Sequence, residues 1–211
     1  VPVIQLDHHK TAMANFAGFV PQHAESRFRF DMNASGAMLT WAHFCPNLPP
    51  PALVGYVQDR DLWTWALPGS RKYNAYVGCT PHTFEAWSRL GAEPVSHVVD
   101  LGKGALAHLE MCVRRLSTYT RMVNYNGFRV PVVNVPHVLV SEVLDALCKE
   151  TLAPFAMGWF QRADGKYQYS LRSREPHGID VTLVAKQYIG GGGHKHAAGF
   201  TVDQPVTMEP A

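Results

Sequence analysis

Four consecutive glycines, Gly190–Gly193 in "KQYIGGGGHKHAAGF", limit this chain more than any other stretch. Four residues without Cβ atoms offer nothing to a core. Each would also cost a helix interior about 1 kcal/mol, so a helix has to end there. The run is either a linker or a tight loop, and its flanks decide between them. A linker lies among polar residues. This run instead succeeds "DVTLVAKQY", where Asp180 can cap a helix carrying Val181, Val184, Ala185 and Tyr188 at helical spacing. It precedes "HAAGFTVD", small residues turning into a strand. A structured loop is expected. Adjacent glycines let a ligand approach the backbone amides, which makes a nest for an anion, and His194 and His196 can add hydrogen bonds or charge to a phosphate. Lys195 is not in the G-K-[ST] context of a Walker loop. The isolated "GKG" at Gly102–Gly104 reads as the start of a helix.

Upstream, "VPVIQL" (Val1–Leu6) is apolar and β-branched, as expected of a buried, parallel strand. "MNASGAMLTWAHF" is a helix pattern with Asn33 or Ser35 as cap and Met38, Trp41, Ala42 and Cys45 on one face, and "PNLPPP" stops it. "ALVGYV" is a short apolar segment leading into "QDRDLW". Val98 to Val123 reads as one long helix with a stripe at Leu109, Cys112, Val113, Leu116, Thr120 and Val123, ended by Asn126-Gly127. Beyond it the pattern changes. "FRVPVVNV" is a strand, "SEVLDALCKE" a helix with Val140, Val143, Leu144 and Leu147 on one face, and "AMGWFQRADGKYQYSLRS" a hairpin turning at Asp164-Gly165.

Composition narrows the class. In 211 residues, 46% hydrophobic and 17% charged, there is material for one large domain or two small ones, and no disordered-type bias. No apolar run approaches the ~18 residues of a membrane span. The first 125 residues carry 11 Lys/Arg against 9 Asp/Glu and the rest 8 against 8, so neither half has the basic stripe that long duplexes favour. A nucleic-acid partner would be short. Cys45, Cys79, Cys112 and Cys148 lack any C-x-x-C spacing and read as buried, reduced thiols. The expected location is the cytoplasm or an organelle matrix.

"QLDHHKTA" closes the first strand with Asp7, His8 and His9. At the carboxyl end of a parallel strand such side chains project into the crevice where α/β sheets bind ligands. The tripeptide offers a metal ligand, an imidazole for a phosphate oxygen, and a carboxylate to orient a ring. A second acidic cluster, Asp59-Arg60-Asp61, ends the next apolar segment.

Jointly, "LDHHKTA", the distant "SLRS" and "GGGGHKHAAGF" resemble the DHH phosphoesterase superfamily. The closer resemblance is to the group joining a DHH domain to a C-terminal DHH-associated domain, which includes oligoribonucleases (nano-RNases), nucleotide phosphatases and cyclic-dinucleotide phosphodiesterases. The resemblance implies an α/β fold: a truncated parallel-sheet DHH domain joined by a long helix to a smaller α+β DHH-associated domain. The implied boundaries are residues 1–97, 98–125 and 126–211. It assigns His8 to a metal, His9 to the substrate phosphate and Asp7 to support of the site. Asp59 is the better match to the family's fourth-motif metal ligand, with Asp61 the second candidate. Arg172, Ser173, Gly191, Gly192, Gly193, His194 and His196 match the substrate-binding edge. The chemistry implied is hydrolysis with two manganese ions, or magnesium, which share a hydroxide.

The family's first two motifs, which precede Asp-His-His, have no counterpart here, and the chain starts without methionine. Two expectations compete. The chain is a C-terminal fragment of an active phosphoesterase cutting short oligonucleotides or small nucleotides, or it is a catalytically inactive nucleotide- or phosphate-binding subunit. The retained His8, His9, Asp59, Arg172 and His194 favour the fragment. On either view an open sheet edge is expected, covered by a partner or a second copy.

Overall fold

Strand β1 (Ile4–Asp7) pairs in parallel with β2 (Arg27–Phe30), Asp7 opposite Phe30, and helix α1 (Lys10–Phe16) makes the crossover between them. The computed structural model describes residues 1–211, which divide into two units, Val1–Glu110 and Met111–Ala211. The parallel pairing agrees with the sequence expectation; the expected burial does not. β1 has a single neighbour, and Val1, Val3 and Ile4 are exposed, because a parallel strand is buried only when it is covered on both faces. Phe16 of α1 meets Phe28 and Phe30 of β2 at ring distances of 5.0 and 5.7 Å, closing one face of this pair.

The rest of the first unit is helical: α2 (Gly36–Phe44), α3 (Ala52–Asp61), α4 (Ser70–Val77), α5 (Phe84–Ala92) and the greater part of α6 (Val95–Ser117), whose residues from Met111 on belong to the second unit. Of the two candidate caps, Ser35 caps α2, its hydroxyl accepting the Met38 amide. The buried residue of α2 is Leu39, while Ala42 is exposed, so the packed stripe is rotated from the one expected. "ALVGYV" is no separate segment. It is the front of α3, which carries Asp59 and Asp61 in its last turn. Tyr56 of α3 stacks on Tyr73 of α4 at 4.1 Å, and Val77, Leu90 and Val98 complete this core.

Gly102 is inside α6 rather than at a helix start. A Cβ there would meet the Lys72 carbonyl oxygen at 1.9 Å, so the glycine is what lets α6 approach α4. α6 also stops at Ser117, short of the expected end. Arg121–Tyr125 is strand β3, and Asn126-Gly127, both at positive φ (49° and 78°), turns it into β4 (Phe128–Asn134). Asn-Gly with two left-handed residues is the favoured two-residue hairpin turn, and here that preference overrides the helical reading of Thr120 and Val123.

The second unit is a seven-stranded mixed sheet in the order β7-β8-β6-β5-β4-β3-β9. Its remaining strands are β5 (Ala156–Gln161), β6 (Tyr167–Arg172), β7 (Gly192–His194), β8 (Ala197–Val202) and β9 (Glu209–Pro210). All pairs are antiparallel except β4–β5, which are connected through helix α7 (Val140–Thr151). Along β4, Val130 and Val132 join one core, with Val181, Val184 and Ala185 around the short helix α8 (Thr182–Ala185). Val133 joins the other core, with Val143, Leu144 and Leu147 of α7. Alternation along one strand thus feeds two layers, and the α7 stripe, β4, and the β5–β6 hairpin all match the sequence pattern. No helix is long and apolar enough to cross a membrane. The four cysteines are free, but only Cys148 is buried and Cys79 is exposed.

Candidate functional site

β1 ends in Asp7, and one carboxylate oxygen of that residue organises the turn after it. Asp7 Oδ1 accepts the His8 amide at 2.7 Å, the His9 amide at 3.1 Å and His9 Nδ1 at 2.7 Å. Burial pushes the Asp7 carboxyl up, but these bonds from His9 and His8 outweigh it and hold the group below the usual carboxylate range. The contact commits the His9 Nδ1 proton to Asp7, so Nε2 becomes the chemically active nitrogen of an exposed ring. Asp7 thus fixes the orientation of the His9 ring.

His8 stands edge to face with the His9 ring, centroids 4.8 Å apart, and is 5% exposed. Its Nε2 lies 3.3 Å from Asp61 Oδ2. The structure therefore brings Asp61, the second candidate, to the histidine. Asp59 has another task. Its Oδ1 accepts Thr64 Oγ1 and the Ala66 amide (2.8 Å), its Oδ2 accepts the Leu67 amide (3.1 Å), and its backbone carbonyl accepts the Thr64 and Trp65 amides. Burial raises the Asp59 carboxyl, but the bonds from Ser70, Thr64, Ala66 and Leu67 outweigh it and hold the group below the usual carboxylate range. Two residues of the same "DRD" thus part company. α3 presents Asp61 outward at its end, while Asp59 sits buried, stitching the loop to α4. Asp61 is thus the one of the two that stands beside His8, while the Asp59 carboxylate is engaged by its own loop.

A divalent cation can be tested against this donor set. Adjacent ligands of an octahedral cation at roughly 2.1 Å stand roughly 3 Å apart. The 3.3 Å between a buried imidazole nitrogen and a carboxylate oxygen fits one such ion. It does not supply ligands for two.

In the second unit, the expected substrate edge is a network. Ser173 is buried; its hydroxyl donates to the Ile179 carbonyl at 2.6 Å and lies 2.8 Å from His196 Nδ1. Its amide donates to the His196 carbonyl at 3.1 Å. Arg172 donates to Ser141 Oγ at 3.2 Å, and Lys195 pairs with Glu175 at 2.7 Å. Arg174 and Lys149 both hold the buried Asp145, at 3.2 and 2.5 Å. Sequence reading missed Ser141, Asp145 and Arg174, since nothing local links an α7 serine or aspartate to residues some 30 positions later.

The glycine run is structured, as its flanks implied, and Gly192–His194 is itself strand β7, paired with Ala197–Gly199. Two of its glycines are required by the loop. A Cβ on Gly191 would meet the Ala185 carbonyl oxygen at 1.9 Å, and one on Gly193, at φ 142°, the Ala197 carbonyl oxygen at 2.4 Å. Self-packing alone therefore accounts for these two.

Known proteins resemble parts of this chain. Residues 130–210 match the model of the DHHA1 domain. An uncharacterised protein of Acanthamoeba polyphaga mimivirus is 29% identical over 203 residues, covering 93% of this chain and 47% of that protein. The chain thus spans about half the length of the curated relative it matches. Among solved structures, PggH, a pGpG-specific phosphodiesterase from Vibrio cholerae, is similar with a TM-score of 0.42 and 10% identity over 87% of this chain and 75% of that one. An uncharacterised protein from Helicobacter pylori is similar with a TM-score of 0.33 and 14% identity over 98% of this chain and 69% of that one.

Proposed function

We propose that this chain, whose residues 130–210 match the DHHA1 domain, belongs to the DHH superfamily and is part of a metal-dependent phosphoesterase for short oligonucleotides or small nucleotides. The observation that carries the reading is the 3.3 Å approach of Asp61 to the buried His8, beside a second histidine already oriented by Asp7. His8 and Asp61 would hold manganese or magnesium, which when bound supplies Lewis acidity and an acidic water. His9, its Nδ1 fixed on Asp7, is placed to protonate or hydrogen-bond a phosphate oxygen through Nε2. Arg172, Ser173, Gly191, Gly192, Gly193, His194 and His196 are the residues we assign to gripping the substrate. The balanced charge of both halves supports a short substrate.

One observation favours a second reading, a phosphate-binding subunit without turnover. Asp59 spends its carboxylate on its own loop, so these residues serve one ion rather than the pair that two-metal hydrolysis uses. Incubation with manganese and, separately, dinucleotides, long single strands and a nucleoside bisphosphate distinguishes the cases. Dinucleotide or bisphosphate cleavage outpacing that of long strands supports the first reading. Faster digestion of long strands removes the short-substrate claim, and binding without cleavage leaves the second reading.

A further inference from the structure

The loop that Asp59 organises carries two indole rings. Trp63 and Trp65 come directly after α3, at φ 59° and 53°. Bulky residues avoid this left-handed region, and a loop that only had to turn would be built more cheaply with glycine or asparagine. The conformation persists because the surrounding bonds over-determine it. The Trp63 amide donates to the Arg60 carbonyl at 3.0 Å, the Thr64 and Trp65 amides to the Asp59 carbonyl, and the Ala66 and Leu67 amides to the Asp59 carboxylate. Backbone strain held in this way is a feature of binding and catalytic sites.

The strain does not serve the core. Neither tryptophan belongs to the packed cluster of Tyr56, Tyr73, Val77, Leu90 and Val98, and both residues are only partly buried, although each indole Nε1 is itself buried. They stand edge to face, centroids 5.0 Å apart at 72°, forming a corner with two walls of π-surface. The Arg71 guanidinium lies over one face of the Trp65 ring, 4.8 Å from its centroid, leaving the opposite face for a ligand. Asp61, two residues before Trp63, is the carboxylate that meets His8. The corner is thus continuous along the chain with the candidate metal site.

We propose that Trp63 and Trp65 form a stacking platform for the heteroaromatic base of a nucleotide, a role that rests on the phosphoesterase reading for the identity of its ligand. Stacking on an aromatic wall tolerates any base, since each presents a π-face, so the platform gives affinity for nucleotides over sugar phosphates without choosing among bases.

Adenosine, which has no phosphate and needs no metal, tests the platform apart from the chemistry. Isothermal titration of this protein should show adenosine binding and none by ribose. Trp65→Leu and Trp63→Leu should each weaken adenosine about tenfold, while Trp65→Phe, which keeps a ring, should retain most of the affinity. Should the leucine variants unfold, hydrogen exchange on the unaltered protein decides: adenosine must slow exchange at residues 63–67. Absent adenosine binding, undiminished binding in both leucine variants, or unchanged exchange in that loop overturns the platform. Dinucleotide hydrolysis is scored separately, so a failed platform leaves the phosphoesterase reading standing, and the reverse result is equally distinguishable.

Discussion

Asp59 and Asp61 are two positions apart and chemically identical, yet their surroundings separate them. Replacing Asp59 by Asn sets an NH2 group against amides that now donate to a carboxylate oxygen. Loss of such buried, charge-assisted bonds costs about 1–3 kcal/mol. A lowered denaturant midpoint is the expected result for Asp59→Asn. Asp61→Asn, at an exposed helix end, should leave the midpoint nearly unchanged and weaken manganese binding measured by electron paramagnetic resonance. Equal losses of stability in both variants would contradict this division. Gly191→Ala provides a similar contrast for the glycine loop. Its Cβ collides with the backbone oxygen of Ala185, so unfolding should become easier even with no ligand present. His196 supplies a pH dependence. Burial, then the Lys195 charge, hold its imidazole below the usual histidine range, against the smaller pull of Glu175 and Asp180. As pH falls through about 6.5 the unfolded chain takes up this proton first. The contribution of His196 to stability is therefore present above that pH and is lost as pH falls toward the folded value. His196→Asn, which keeps a donor for Ser173, should flatten the urea midpoint between about pH 7 and about pH 5. At this scale Asp7 was legible in the sequence, since its three bonds reach only the next two residues. Asp61 over Asp59 was not, because the choice depends on a histidine some 50 positions away.

The two glycines of "GKG" show how an element hides its reasons. Both lie in α6, where glycine is costly, but only Gly102 faces a neighbour, the Lys72 carbonyl of α4, while Gly104 has open space. Gly104→Ala should raise the thermal midpoint, worth about 0.5–1 kcal/mol in helix propensity. Gly102→Ala should lower it, by about 1–3 kcal/mol of overpacking or more. The same sign for both substitutions would refute the close α4–α6 contact. Elements whose signal is local, such as α7 with its apolar stripe and the β5–β6 hairpin at Asp164-Gly165, were readable from pattern alone. The end of α6 was misread because Asn-Gly serves equally as a helix stop and as a hairpin turn. The partner strand β4, which decides between them, lies on the far side of the ambiguity.

At the scale of the molecule, the charge balance and the DHHA1 domain point one way and the ligand count limits the other. We expect equilibrium dialysis against manganese to load at most one ion per chain, with weak retention, and Asp61→Asn to weaken it further. Two tightly held ions would show that ligands other than His8 and Asp61 complete the site. The sequence by itself determined the α/β character, the change of pattern into the second unit, the orienting role of Asp7 and the structured nature of the glycine run. All of these rest on periodicities and contacts within a few residues, where backbone geometry leaves little choice. Tertiary structure alone decided which aspartate meets His8, which glycines are demanded by packing, that β1 is exposed, and that two tryptophans are held in a strained corner. Those outcomes depend on which distant backbone or side chain comes within a few ångströms, and no local pattern encodes that.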